Sequence, residues 1–244
     1  MSRDDSPLRG RVIFAFGARR SGTLWLQRIL TAHPAVSAVP SETYLFELGI
    51  RPLLERFHHG ARSSTTVAQM YADREELLDA TRDFCDRMLL PFLPSGARFV
   101  SERSPGHAKA LDVIGAVYPD ARQIHIIRDG RDVARSLAAR DWGPGGLAEA
   151  ARDWRENVEE ARANAGAHYL EVRYEDLLAD PRGRMAEILD FLGLPWNDAF
   201  ESGFRSYTFD SGRARAWRSV LGDEASAELD ASLADHLARR GYEV

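Results

Sequence analysis

An apolar run, Val12-Ile-Phe-Ala-Phe16, passes directly into Gly17-Ala-Arg-Arg-Ser-Gly22 and then into a helical pattern beginning at Thr23-Leu24-Trp25. The order predicts a buried strand, a tight loop and a helix whose N-terminus gathers backbone N–H groups toward an anion. Gly17 and Gly22 stand at the spacing of the first six positions of the nucleotide triphosphatase loop, GxxxxGK[ST]. Thr23 then occupies the place of the Lys, and Arg20 supplies a cation from within the loop. The segment suits a phosphorylated nucleotide other than ordinary ATP with magnesium.

The remaining pattern alternates strands with helices. Strands are predicted at residues 11–16, 36–39, 98–101, 123–127 and 169–172, with Gln123-Ile-His-Ile-Ile127 the clearest buried run. Helices are predicted at about 22–32, 106–117, 128–140, 147–163, 174–178, 181–193 and 223–239. His33-Pro34 ends the first helix, and Pro181 suits a first helical turn. This is the signature of an α/β fold: three layers with a central parallel sheet, doubly wound, in one domain spanning residues 1–244. Residues 45–95 read as a polar helical cap over the sheet. Ligands in such folds lie beyond the carboxyl ends of the strands. Arg20 and Arg128 both follow strands directly and should project into that crevice.

Composition narrows the function. A chain of 244 residues with 44% hydrophobic and 28% charged residues is an ordinary globular protein. A net charge of −5 argues against general nucleic-acid or anionic-membrane binding, so any anion site must be local. Lys109 is the one lysine among 32 basic residues, so phosphate contacts fall to guanidinium forks. Cys85 stands alone, which excludes an internal disulfide and a cysteine zinc site, and it reads as a buried structural thiol. His58-His59 point apart on any regular element, so no metal site is expected there. The polar start, Met-Ser-Arg-Asp-Asp-Ser-Pro, is unlike a secretory signal, and no apolar run nears the roughly 18 residues of a membrane span. The expected location is the cytoplasm.

Three separated segments share one theme. The loop Arg20–Leu24 offers N–H groups, hydroxyls and a guanidinium. Arg128, with Ser136 eight residues on, offers a second anion pocket, and Arg213-Ala-Arg215 offers late basic residues. Two phosphate pockets at two strand ends suggest a nucleotide phosphorylated in two places.

At these residues the chain resembles the sulfotransferases that use 3′-phosphoadenosine 5′-phosphosulfate (PAPS). Arg20-Ser-Gly-Thr-Leu-Trp25 is similar to the family's 5′-phosphosulfate loop, [KR]-S-G-T-T-x, and Arg128-x₇-Ser136-x₃-Arg140 to its 3′-phosphate motif. Val172-Arg-Tyr-Glu-Asp-Leu-Leu-Ala-Asp-Pro181, Leu189-Asp-Phe-Leu-Gly-Leu194 and Gly241-Tyr-Glu also resemble family segments. Coverage is weakest over residues 45–95.

The resemblance implies an enzyme that moves a sulfuryl group in line from PAPS to a hydroxyl or amine, leaving PAP, without a metal. It places Arg19, Arg20, Ser21, Gly22, Thr23 and Leu24 around the 5′ end, with Trp25 near the adenine and Tyr174 against the nucleotide. Arg128 and Ser136 would take the 3′-phosphate, helped by Arg213 or Arg215. Leu24 replaces a usual Thr and leaves only its N–H. Two residues are candidates for the base, Glu42 in Val39-Pro-Ser-Glu-Thr43 and His107 in Ser101-Glu-Arg-Ser-Pro-Gly-His107. Arg103 matches a cation beside the sulfate in the Glu-using branch, which favours Glu42. Other readings are a P-loop nucleotide kinase, opposed by the missing loop Lys, and a non-catalytic PAP-binding module. Tyr44, Phe46, Phe57, Tyr71, Phe84 and Trp142 suggest an apolar or aromatic small-molecule acceptor, with a carbohydrate as the other class.

Overall fold

The computed structural model describes residues 5–60 and 73–243. Tyr71, and the side chains of Phe57, His58 and His59, lie outside what is described. Five strands, β1 (Val12–Phe16), β2 (Val36–Ala38), β3 (Phe99–Arg103), β4 (Arg122–Ile127) and β5 (Tyr169–Arg173), form an all-parallel sheet of order β2-β3-β1-β4-β5. β1 is central, with β3 on one side and β4 on the other, so the chain reverses direction of winding at the end of β1. The crevice of a doubly wound sheet opens at that point.

Alternation along β1 sorts the core. Val12, Phe14 and Phe16 pack on one face with Leu111, Ile114 and Tyr118, while Ile13 packs on the other with Leu26, Ile29, Leu30, Ile124 and Ile126. Helix α1 (Thr23–Leu30) buries Leu26, Ile29 and Leu30 completely, each worth about 1.5–3 kcal/mol. A π-helical stretch (Leu45–Ile50) and helices α2 (Arg51–Gly60) and α3 (Arg74–Leu89) share the first face: Phe46, Ile50, Leu54, Leu77, Leu78 and Leu89 join the cluster of Val12 and Phe14. Cys85 is buried there, with its thiol pushed up to about 12 by burial. No helix among the described residues is long and apolar enough to cross a membrane.

Some boundaries differ from the sequence pattern for physical reasons. β3 runs to Arg103, because Glu102 and Arg103, polar residues that seemed to end the strand, are themselves buried. Pro105–Ala110 is a tight 3₁₀ stretch, and α4 starts only at Leu111 and ends at Val117. Helix α5 covers Gly130–Ala138 and α6 Leu147–Ala163. After α7 (Tyr174–Ala179) and α8 (Pro181–Leu192) comes an unforeseen helix, α9 (Asp198–Phe204), and α10 spans Asp223–Ala238. α9 is nucleated by Asn197, whose side chain accepts from the Phe200 N–H, and it is held by buried Phe200 and Phe204.

The turn leaving β1 depends on Gly17. Its φ is +157°, and a Cβ there would lie 2.1 Å from the Ile126 carbonyl oxygen of β4. Gly17→Ala should therefore force the loop off the sheet and cost about 1–3 kcal/mol, read as a lower urea midpoint. A variant as stable as the parent would show that the loop is not braced against β4.

Candidate active site

The loop between β1 and α1 carries two residues in left-handed backbone, Arg20 (φ 75) and Gly22 (φ 106). Glycine is needed at the second: a Cβ on Gly22 would sit 3.0 Å from the Tyr174 ring. Arg20 is a non-glycine residue in that region, a conformation that costs on the order of 1–3 kcal/mol and clusters at functional sites. Tertiary bonds hold it. Its Nε donates to Ser136 Oγ at 3.0 Å, and its carbonyl accepts from Arg128 Nη1 at 3.4 Å.

Above the carboxyl ends of the strands lies a cleft of about 880 Å³. Six guanidinium groups line it, those of Arg19, Arg20, Arg28, Arg103, Arg128 and Arg213. Glu42 is the one carboxylate on its wall among the described residues. Arg20 and Arg128 thus face a single cavity. Burial, then Arg140 and Arg128, lowers the Arg20 pKa, as expected where like charges converge.

Arg128 knits the site together. Its Nη2 donates to the Arg213 carbonyl at 2.6 Å, its guanidinium lies 4.6 Å from the Tyr174 ring centre, and Nη2 is 3.5 Å from buried Asp132. Its Nε and Ser21 Oγ are buried with no hydrogen-bond partner in the protein. The cations that face the cavity fit a ligand carrying anionic oxygens, whereas Ser21, expected at the 5′ end, is fully buried and is not part of the lining. Trp25 and Tyr174 also line the cleft, with ring centres 5.3 Å apart and edge to face. Gly22, Thr23 and Leu24 line the same cleft.

The two candidate bases separate cleanly. Glu42 faces the cleft, with Oε1 paired to Arg103 Nη1 and Oε2 accepting from Tyr44 Oη at 2.7 Å. Arg103 is itself oriented by Gln27, whose Oε1 accepts from Arg103 Nε at 3.2 Å. His107 is fully buried behind β3, its Nε2 bonded to Glu102 Oε2 and its ring edge-on to Phe14 and Phe46. It therefore cannot reach an acceptor in the cleft. Its partner Glu102 also accepts from Thr43 and from Ser104 Oγ, so the pair anchors the loop that carries Glu42.

Other expected residues are redistributed. Ser136 holds Arg20 and does not pair with Arg128. Arg215 departs from the pattern set by Arg213. It lines a separate cavity of about 230 Å³, where its Nη2 meets Glu243 at 3.1 Å. Arg19 lines the main cleft beside Trp142, with its guanidinium 6.0 Å from that ring centre. Arg28, Gln27 and Tyr207 escaped the sequence reading. Arg28 and Gln27 follow the loop on α1 at helical spacing, which was the available signal.

Residues 12–198 match the model of the sulfotransferase family. The chain is 30% identical over 145 residues to nodulation protein NoeE of Sinorhizobium fredii, covering 59% of this chain and 34% of that protein. It is 28% identical over 203 residues to protein-tyrosine sulfotransferase 1 of Danio rerio, covering 80% and 55%. The chain therefore spans about a third to about half the length of these relatives. Mouse sulfotransferase SULT7A1, solved in complex with PAP, superposes with a TM-score of 0.59 at 14% identity, over 97% of this chain and 88% of that one.

Burial works against ionisation of Glu102, but the His107 contact and the bonds from Thr43 and Ser104 together hold its carboxyl below the usual range. A depressed carboxylate contributes stability that is present above about pH 4.3 and is lost as pH falls through the folded value. Glu102→Gln should be less stable at pH 7 and should show a shallower acid limb in a urea-midpoint against pH curve. Parallel acid limbs in parent and variant would contradict this account.

Proposed function

The chain belongs to the sulfotransferase family, and on that premise we propose that it transfers a sulfuryl group from PAPS to an acceptor hydroxyl, with Glu42 as general base. One observation carries the reading: Arg20 and Arg128 line the same cleft as Glu42, which is paired with Arg103. The donor, when bound, supplies an activated sulfuryl group on a phosphate leaving group. Arg20, Thr23 and the N–H groups at the start of α1 bind the 5′ end, aided by the helix dipole. Arg128 and Arg213 bind the 3′-phosphate, and Trp25 and Tyr174 flank the base.

Arg103 stands beside Glu42, so one cation orients the base and faces the transferring oxygens. Glu42 takes the acceptor proton on a carboxylate oxygen as the acceptor oxygen bonds to sulfur and the sulfur–phosphate oxygen bond breaks. A positioned base of this kind is worth about 10²–10⁴-fold. The acceptor end of the cleft carries Leu24 and Trp142, 41% and 58% exposed, with Tyr44 and Pro105. That surface suits a hydroxyl on an apolar or aromatic small molecule, or on a sugar stacked against an indole.

Thermal shift tests the nucleotide reading. PAP without magnesium should raise the melting temperature, and ATP with magnesium should leave it unchanged. The opposite result would favour a nucleotide kinase. Arg128→Ala should weaken PAP binding by about ten- to a hundredfold, the range for losing charge-assisted bonds. Glu42→Gln should keep PAP affinity and lower transfer of labelled sulfate by about 10²-fold or more. Undiminished transfer by that variant would remove Glu42 from the role of base.

A further inference from the structure

Tyr44 sits at the base in an unusual way. Its phenol donates to Glu42 Oε2 at 2.7 Å, on the carboxylate oxygen that Arg103 does not hold, and it lines the cleft. This is the hydrogen bond that an acceptor hydroxyl must make before it gives up its proton. The phenol is pushed up to about 12 by burial and by Glu42, so it remains a neutral donor. The backbone beneath it is in left-handed conformation, φ 51, unfavourable for an aromatic residue. Ser104 Oγ secures it, accepting from the N–H groups of both Thr43 and Tyr44 at 3.0 Å while donating to buried Glu102 at 2.8 Å. A strained backbone clamped from behind fixes where the side chain starts and leaves the ring as the part that can swing.

We propose that Tyr44 is a built-in stand-in for the acceptor, capping Glu42 Oε2 until a true acceptor hydroxyl displaces the phenol. The cap serves discrimination against water. An activated sulfuryl donor held beside a free carboxylate is exposed to hydrolysis: water oxygen bonds to sulfur, the bond from sulfur to the 5′-phosphate oxygen breaks, the water proton passes to Glu42, and PAP and sulfate leave. Each carboxylate oxygen already accepts one bond, from Arg103 and from Tyr44, so water must compete with the phenol for Oε2 without the further contacts an acceptor brings. A larger acceptor, with its own contacts to Trp142 and Leu24, can displace the phenol where water cannot. This inference rests on Glu42 being the base.

Tyr44→Phe keeps the ring and removes the cap. The experiment measures conversion of PAPS to PAP and sulfate by anion-exchange chromatography, with no acceptor present. The variant should hydrolyse PAPS about tenfold faster than the parent, the scale of one hydrogen bond to a charged group. Adding Glu42→Gln to Tyr44→Phe should return the rate to the parent level or below, a dependence that a merely structural role for Tyr44 would not produce. Hydrolysis by Tyr44→Phe that is equal to or slower than the parent's overturns the cap, as does acceleration that survives loss of Glu42. PAP thermal shifts on both proteins separate the two readings. Stabilisation by PAP without acceleration removes the cap alone, whereas a chain that PAP does not stabilise removes the donor site and the cap together.

Discussion

One guanidinium holds three distant stretches of chain in a single wall. Arg128 leaves the end of β4 with its carbonyl fixed by the Trp154 indole N–H, reaches the Arg20 carbonyl in the first loop and the Arg213 carbonyl in the late one, and lies over the Tyr174 ring. No other side chain bonds to both loops among the described residues. The positive-φ turn at Arg20 and the direction of Arg213 both follow from this tie. The C-terminal residues brace it from below: the Tyr242 hydroxyl donates to Glu175, which in turn accepts from the Asp129 N–H next to Arg128.

Charge is distributed accordingly. The whole chain is acidic, at −5, while the cleft gathers six guanidinium groups around one carboxylate. Pairing elsewhere neutralises several of the other arginines. Arg131 is buried against Asp129 and Asp230, Arg82 against Asp86, and Arg240 pairs with Glu159. The site is thus defined as much by the arginines neutralised around it as by those left to face it. The single carboxylate, Glu42, sits inside that field, paired with Arg103 and hydrogen-bonded by Tyr44.

Much of this was legible from residue order because it depends on backbone features. Gly17 and Gly22 announce the loop, and the continuous apolar runs announce β1 and β4, whose buried register needs nothing but hydrophobicity. Arg20 and Arg128 follow strands directly, so the topology alone sends them to one crevice. What was not legible depends on side-chain direction. Arg213 and Arg215 are two residues apart and read alike, yet Glu243 draws Arg215 into a different cavity. His107 resembled a base until β3 proved two residues longer than its apolar core, placing Glu102 and His107 on the buried side. Gln27 acts on Arg103, 76 positions away, a contact that no local pattern encodes, and nothing in the order of residues marks that the Tyr44 hydroxyl turns back to Glu42, two positions before it.

The density of cations in the cleft has a kinetic corollary. In the proposed reaction the sulfuryl group leaves while both phosphates stay among the same arginines, so the product would keep most of the contacts that held the donor. Departure of PAP rather than bond making would then pace the cycle of that proposed reaction.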